Sequence, residues 1–133
     1  GKIHFWRVNI KPGKPVAFAS LNGKPVFALP GNPVSTLICL SRYVVPALYS
    51  AMGQTSLPVE KIALSAAVEV KAPLALFMPV QVVNDEWGRN VAQPKLTNGS
   101  GDFLSLTGTD GFVELPPGPN VHLKGFVTRL FRW

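Results

Sequence analysis

Lys24-Pro25-Val26-Phe27-Ala28-Leu29-Pro30-Gly31-Asn32-Pro33-Val34-Ser35 decides the fold of the first half of the chain. Residues 24–29 read as a strand, and Pro30-Gly31-Asn32-Pro33 then switches the backbone from strand to helix. Asn32 is suited to cap that helix, and Pro33 to its first position, where a missing N–H does no harm. Val34, Leu37, Ile38, Ser41, Val44, Val45 and Leu48 recur at three- and four-residue spacing, the signature of an amphipathic helix. Gly53 is placed to stop it. Pro46 lies inside the pattern and is predicted to kink the helix by freeing the carbonyl of Arg42.

Outward from this stretch, residues 3–10 read as a strand whose alternation slips at Trp6. Lys11-Pro12-Gly13-Lys14-Pro15 is a loop, because two prolines and a glycine in five residues do not continue a ladder. Residues 16–21 form a second strand, and Asn22-Gly23 is a strong hairpin signal leading into the third. A polar segment, 54–58, reads as a linker. Beyond it the chain looks all-β: strands at 62–70, 77–83, 90–93, 111–115 and 123–131, with a polar turn at 84–89 and a helical turn at 103–106. Short strands with such turn signals predict a small barrel or sandwich.

The 133 residues suffice for one domain or two small ones, and 47% hydrophobic against 15% charged residues excludes intrinsic disorder. No apolar run approaches the roughly 20 residues that span a bilayer, and no signal peptide opens the sequence. Cys39, being single, forms neither an internal disulfide nor a cysteine-based zinc site, and fits a reducing, cytoplasmic setting. The net charge of +6 is unevenly placed. Residues 1–59 hold Lys2, Arg7, Lys11, Lys14, Lys24 and Arg42 and no acid, whereas the remainder is balanced. An acid-free half points to an anionic ligand or partner.

His4 and His122 are far apart in sequence, lack carboxylate or cysteine neighbours at metal-ligand spacing, and read as structural. Cys39 reads as core. No phosphate loop, dinucleotide fingerprint or serine-centred elbow is present. Two loops carry the chemistry instead. Lys11 and Lys14 set two ammonium groups on a stiffened loop. Pro30-Gly31-Asn32-Pro33 offers a helix start whose backbone N–H groups favour an anion, with Gly31 allowing close approach. Both loops leave the same end of their strands if the third strand pairs between the others or beside the first in parallel. A crevice would then bring Lys11, Lys14 and the helix start together. Gly99-Ser100-Gly101-Asp102 is a further oxyanion-binding candidate, with a hydroxyl donor at Ser100.

These residues resemble a known family. The Lys11–Pro15 pentapeptide, the stretch from Lys24 to Ser35, Gly99-Ser100-Gly101-Asp102 and Gly111-Phe112-Val113-Glu114-Leu115-Pro116 are similar to the signature of the molybdopterin molybdenumtransferases, the MoeA and gephyrin E-domain family. The resemblance implies an α/β plus all-β fold. Residues 1–56 would be the C-terminal part of a doubly wound, MoaB/MogA-like molybdopterin-binding domain, and 57–133 a C-terminal β-barrel-like domain. It implies insertion of molybdate into adenylylated molybdopterin with release of AMP, assisted by Mg2+ whose acidic ligands are expected upstream of residue 1. On that reading the chain is a C-terminal fragment, inactive alone. Lys11, Lys14 and Pro15 would form a molybdate pocket, with Gly31 and Asn32 beside it and Ser100 closing over the anion.

The sequence departs from the family where an arginine often follows the residue matching Phe77; here the chain reads Phe77-Met78-Pro79-Val80. Arg89 and Lys95 are the candidates to replace it. An unpaired sheet edge in a truncated α/β domain predicts a homodimer, and neither nucleic acid nor membrane is expected as a partner. Two alternatives come from other classes. A polyanion-binding module would use the acid-free half, although six basic residues over 59 are sparse and no aromatic platform is interleaved with them. A peptide-docking scaffold of the gephyrin type would use a groove between the two parts.

Overall fold

Asn22 and Gly23, with φ of 50° and 74°, make the two-residue turn that the sequence predicts, and the first sheet is built around it. A computed structural model describes residues 1–54, 57–71, 73–97 and 103–133 of the chain. Strand β1 (Lys2–Trp6) pairs antiparallel with β3 (Ala17–Leu21), and β3 with β4 (Lys24–Ala28), in the order β1-β3-β4. Phe5, Phe18 and Phe27 align across the three strands. The predicted strand 3–10 is split. Arg7 adopts a left-handed φ of 62°, the chain turns there, and β2 (Ile10–Lys11) leaves for another sheet. The alternation slips at Trp6 because β1 ends there.

Helix α1 (Pro33–Ala51) starts where the sequence places it. Its middle, Leu40–Val44, is a π-turn, in which the Val45 N–H reaches back five residues to the carbonyl of Leu40. That wider turn lies directly before Pro46, the residue predicted to disturb the helix, and accommodates it without breaking the helix. At 19 residues with Arg42 as its one charge, α1 is long and apolar enough by length and composition to cross a membrane, a length the sequence reading did not credit to any apolar run. In the fold, Val34, Ser35, Ile38 and Cys39 of its first two turns are buried.

The second half closes into a barrel. Strands β7 (Ala75–Asn84), β8 (Asn90–Pro94), β5 (Glu60–Leu64), β11 (Val127–Arg132) and β9 (Gly111–Leu115) pair in that order, and β9 pairs again with β7. Closure leaves the barrel without an open edge. The sequence expectation of a strand over 62–70 divides into β5 and β6 (Val68–Glu69). That over 123–131 shortens to β11, which begins only at Val127; β10 (Val121–His122) precedes the expected strand and pairs with β6. The helical turn at Phe103–Leu106 is a 3-10 helix.

Alternation along the barrel strands separates two cores. Ile62, Leu64, Val80, Ala92, Val113, Leu115 and Leu130 fill one cluster, with Val68 and Val70 packed on it. Phe77, Phe112 and Phe131, from the opposite faces of β7, β9 and β11, join Ile10, Val16, Val34, Ile38 and Cys39 in the second. The two halves of the chain therefore share a core. Strand β2 ties them further by pairing in parallel with β7, Ile10 opposite Ala75 and Lys11 opposite Leu76. At the rim of this junction Arg42 of α1 meets Glu114 of β9, Nε to Oε2, at 3.0 Å.

Candidate functional site

The strand-to-helix turn is held by its own side chains. Asn32 sits at φ −68°, ψ 126°, and its Oδ1 accepts the Ser35 N–H at 3.1 Å, with Pro33 opening the helix. The Asn32 carboxamide oxygen is thus used as a cap, which leaves the backbone of residues 30–32 as the part that can meet a ligand. Gly31 is exposed, and a Cβ there would meet nothing within 4 Å.

Loop 11–15 leaves β2 and returns into β3. Gly13, at φ +113°, is buried against Ile10 and Cys39. Lys14 and Pro15 are exposed on the outer side of the loop. The order of strands corrects the sequence reading: the second strand, β3, lies in the middle, not the third. Since β1 and β4 both run antiparallel to β3, their C-terminal ends still point the same way.

A crevice of about 200 Å³ lies between these loops and the barrel. Lys11, Pro12 and Val34 form one side of it; Leu76, Phe77, Met78 and Pro79 of β7, with Leu96 and Thr97, form the rest. Among the described residues, Lys11 is the only charged one on its wall and no carboxylate lines it. An ammonium beside apolar walls acts on an anion more strongly than the same group in open water. Of the predicted site residues that are described, only Lys11 lines this crevice; Lys14, Pro15, Gly31 and Asn32 sit on the two loops beside it. Ser100 lies outside the described residues, as does the rest of loop 98–102. Thr97, the last described residue before that loop, is on the wall.

Neither candidate for the family arginine faces the crevice. Arg89 is bound to Asp85 in the exposed β7–β8 turn, Nε to Oδ2 at 2.8 Å. The Asp85 carboxyl is held below the usual carboxylate range, first by the Arg89 backbone N–H. Lys95 touches the neighbourhood through its backbone, donating its N–H to the Pro79 carbonyl at 2.9 Å. The wall residue Leu76 was not legible in the sequence, since the parallel β2–β7 pairing that brings β7 here spans more than sixty residues.

The remaining chemistry-bearing groups lie elsewhere. His4 Nε2 is 2.9 Å from Ser20 Oγ, and its ring stacks on Phe18. His122 is buried, with Nε2 3.0 Å from the Pro116 carbonyl. Burial pushes the Cys39 thiol up to about 11, so it is an unreactive core group at neutral pH. A larger groove of about 1500 Å³ runs between residues 63–71, the β7–β8 hairpin and residues 124–127. It shares Met78 and Leu96 with the crevice; Arg89 lines it, whereas Lys11, Lys14, Pro15, Gly31 and Asn32 do not.

A strand–turn–helix unit presenting a cationic loop, fused to a closed five-stranded barrel, defines the class of protein. Residues 1–50 match the family model described as a probable molybdopterin binding domain, and residues 61–125 the MoeA C-terminal region (domain IV). The chain belongs to the MoeA family. It is similar to the molybdopterin molybdenumtransferase of Synechocystis sp., 35% identical over 108 residues, which is 80% of this chain and 25% of that protein. It is also similar to gephyrin of Dictyostelium discoideum, 41% identical over 69 residues, covering 40% of this chain and 10% of that protein. Among solved structures, the molybdopterin biosynthesis MoeA protein of Pyrococcus horikosii aligns over 98% of this chain and 32% of its own length, at 30% identity and a TM-score of 0.75. The chain therefore spans about a quarter to a third of the Synechocystis and Pyrococcus proteins.

Proposed function

We propose that this chain carries the oxyanion-binding part of a molybdopterin molybdenumtransferase, which inserts molybdate into adenylylated molybdopterin with release of AMP. The observation that supports it most is Lys11 on the wall of a crevice that begins at the start of α1, in a half of the chain without a carboxylate. Lys11 neutralises the anion, Lys14 and Pro15 complete the cationic loop, and the backbone of Gly31 and Asn32 offers donors at the helix start. Ser100 closes over the anion in this proposal. The apolar walls lower the polarity on one side of the bound group, while Lys11 itself is exposed.

Mg2+ is part of the reaction in this reading. Among the described residues no three His, Cys, Asp or Glu side chains gather, so these residues do not fit a metal site. The division of the chain at residues 56 and 57 is supported by the two family matches falling on either side of it. Homodimer formation is supported by β1 and β4, both at edges of the three-stranded sheet, and sedimentation as a monomer at all concentrations would count against it. A cytoplasmic location goes with the buried, unpaired Cys39, and cell fractionation tests it.

Molybdate binding measured by equilibrium dialysis is the direct test. Lys11→Ala is expected to weaken it by about ten- to a hundredfold, the value of one charge-assisted contact. Gly31→Ala is expected to leave thermal stability unchanged, since its Cβ enters open space, while weakening binding by crowding the backbone donors. Equal affinity in wild type and Lys11→Ala would refute the assignment of the crevice.

A further inference from the structure

Helix α1 touches both loops of the crevice, through two side chains one turn apart. Thr36 donates its hydroxyl to the Asn32 carbonyl at 2.9 Å, the ordinary bond from a helical threonine to the residue four back. The same hydroxyl contacts the Pro30 carbonyl, which lies outside the helix. Cys39 is fully buried, and its Sγ lies 3.9 Å from the Gly13 carbonyl oxygen. The approach is so close that a methyl on Gly13 would stand 2.7 Å from the sulfur. Gly13 in turn accepts the Val16 N–H at 3.1 Å, and the Lys14 carbonyl accepts the Val8 N–H at 2.9 Å. Neither Thr36 nor Cys39 lines the crevice.

We propose that Thr36 and Cys39 are positioning residues for the crevice: Thr36 fixes the turn that begins α1, Cys39 seats the lysine loop, and one rigid helix thereby keeps the two loops in register. The inference rests on the reading of the crevice as an oxyanion site. A point charge on a loop is useful only when its backbone is held, because a displacement of about 1 Å is enough to forfeit most of a positioned contact. Pro12 and Pro15 stiffen the loop internally, but stiffness does not fix where the loop sits: the β2–β7 pairing anchors its start, and the contact with Cys39 seats its middle at Gly13.

The test compares Thr36→Val, Cys39→Ala and the conservative Cys39→Ser with the wild type. It uses molybdate as the probe and amide exchange at Val8 and Val16 as a second readout. Thr36→Val and Cys39→Ala are each expected to weaken molybdate binding about tenfold. Cys39→Ala is also expected to speed exchange at Val8 and Val16, and Cys39→Ser to restore both readouts to within about twofold of wild type. Lowered thermal stability with unchanged affinity and unchanged local exchange would show a purely structural role and overturn the proposal. If the wild type binds no molybdate, the reading of the crevice fails. Exchange then still decides the positioning: unchanged rates in Cys39→Ala overturn it, and faster rates reversed by Cys39→Ser uphold it.

Discussion

Gly111→Ala is expected to open the barrel at its β9–β11 seam and to cost at least about 3 kcal/mol. A Cβ at this position would stand 2.0 Å from the Phe131 carbonyl oxygen and 2.9 Å from the Arg132 Cα. Those are backbone atoms, so no side-chain rotation relieves the overlap. The strands must separate, and Gly111 pairs with Arg132 in the ladder that closes the barrel. The same residue faces Val80 on β7, so both neighbours of β9 feel the shift. Urea denaturation reads the effect: with an m-value of about 1–3 kcal/mol/M, the midpoint falls by about 1 M or more. A fall of less than about 0.3 M would show that the seam tolerates a methyl and that the account of closure is wrong.

Phe112→Ala is expected to cost about 3–5 kcal/mol, the usual range for emptying a fully buried phenylalanine site. Phe112 is fully buried, stacks on Phe131 at 4.8 Å between centroids, meets Phe77 edge-on at 5.5 Å and contacts Trp133 at 5.3 Å. It stands in the cluster shared by the barrel wall and α1, so the cavity forms between the two halves of the chain. Besides a lower midpoint, the variant should lose coincidence between fluorescence, dominated by the tryptophans, and far-ultraviolet circular dichroism. A loss under about 1 kcal/mol would mean that the Arg42–Glu114 pair and the β2–β7 pairing, rather than the aromatic cluster, join the halves.

Local rules carried the reading of the first half. Asn22-Gly23 turns because both residues accept positive φ, and Asn32-Pro33 starts a helix because one caps it and the other lacks an N–H to satisfy. These effects act over four residues and are visible in any window that contains them. What the sequence did not disclose depends on residues far apart. Lys11 gains its apolar surroundings from Leu76, Phe77 and Met78 through the β2–β7 pairing, for which the two-residue strand Ile10–Lys11 leaves no periodicity to detect. The break of the first strand at Arg7 was equally hidden, because arginine carries no preference for the left-handed backbone it adopts there. The candidate site divides in the same way. The loops that bear it were legible as turns, whereas the crevice is a product of how the barrel packs against them.

The π-turn at Leu40–Val44 has a consequence for the surface of α1. One residue more than an α-helix needs is taken up there, so every side chain after it is rotated by about 100° from the direction that the first two turns would dictate. Val34 and Ile38 belong to one angular phase, which faces the shared core, and Leu48 and Met52 belong to another, where they stand 57% and 79% exposed. Helix α1 is in effect two stripes spliced out of phase. The first is committed to the loops of the crevice. The second is aimed away from it, so that changes along the Val45–Ala51 turns can alter what the outer surface presents without moving the Lys11 wall.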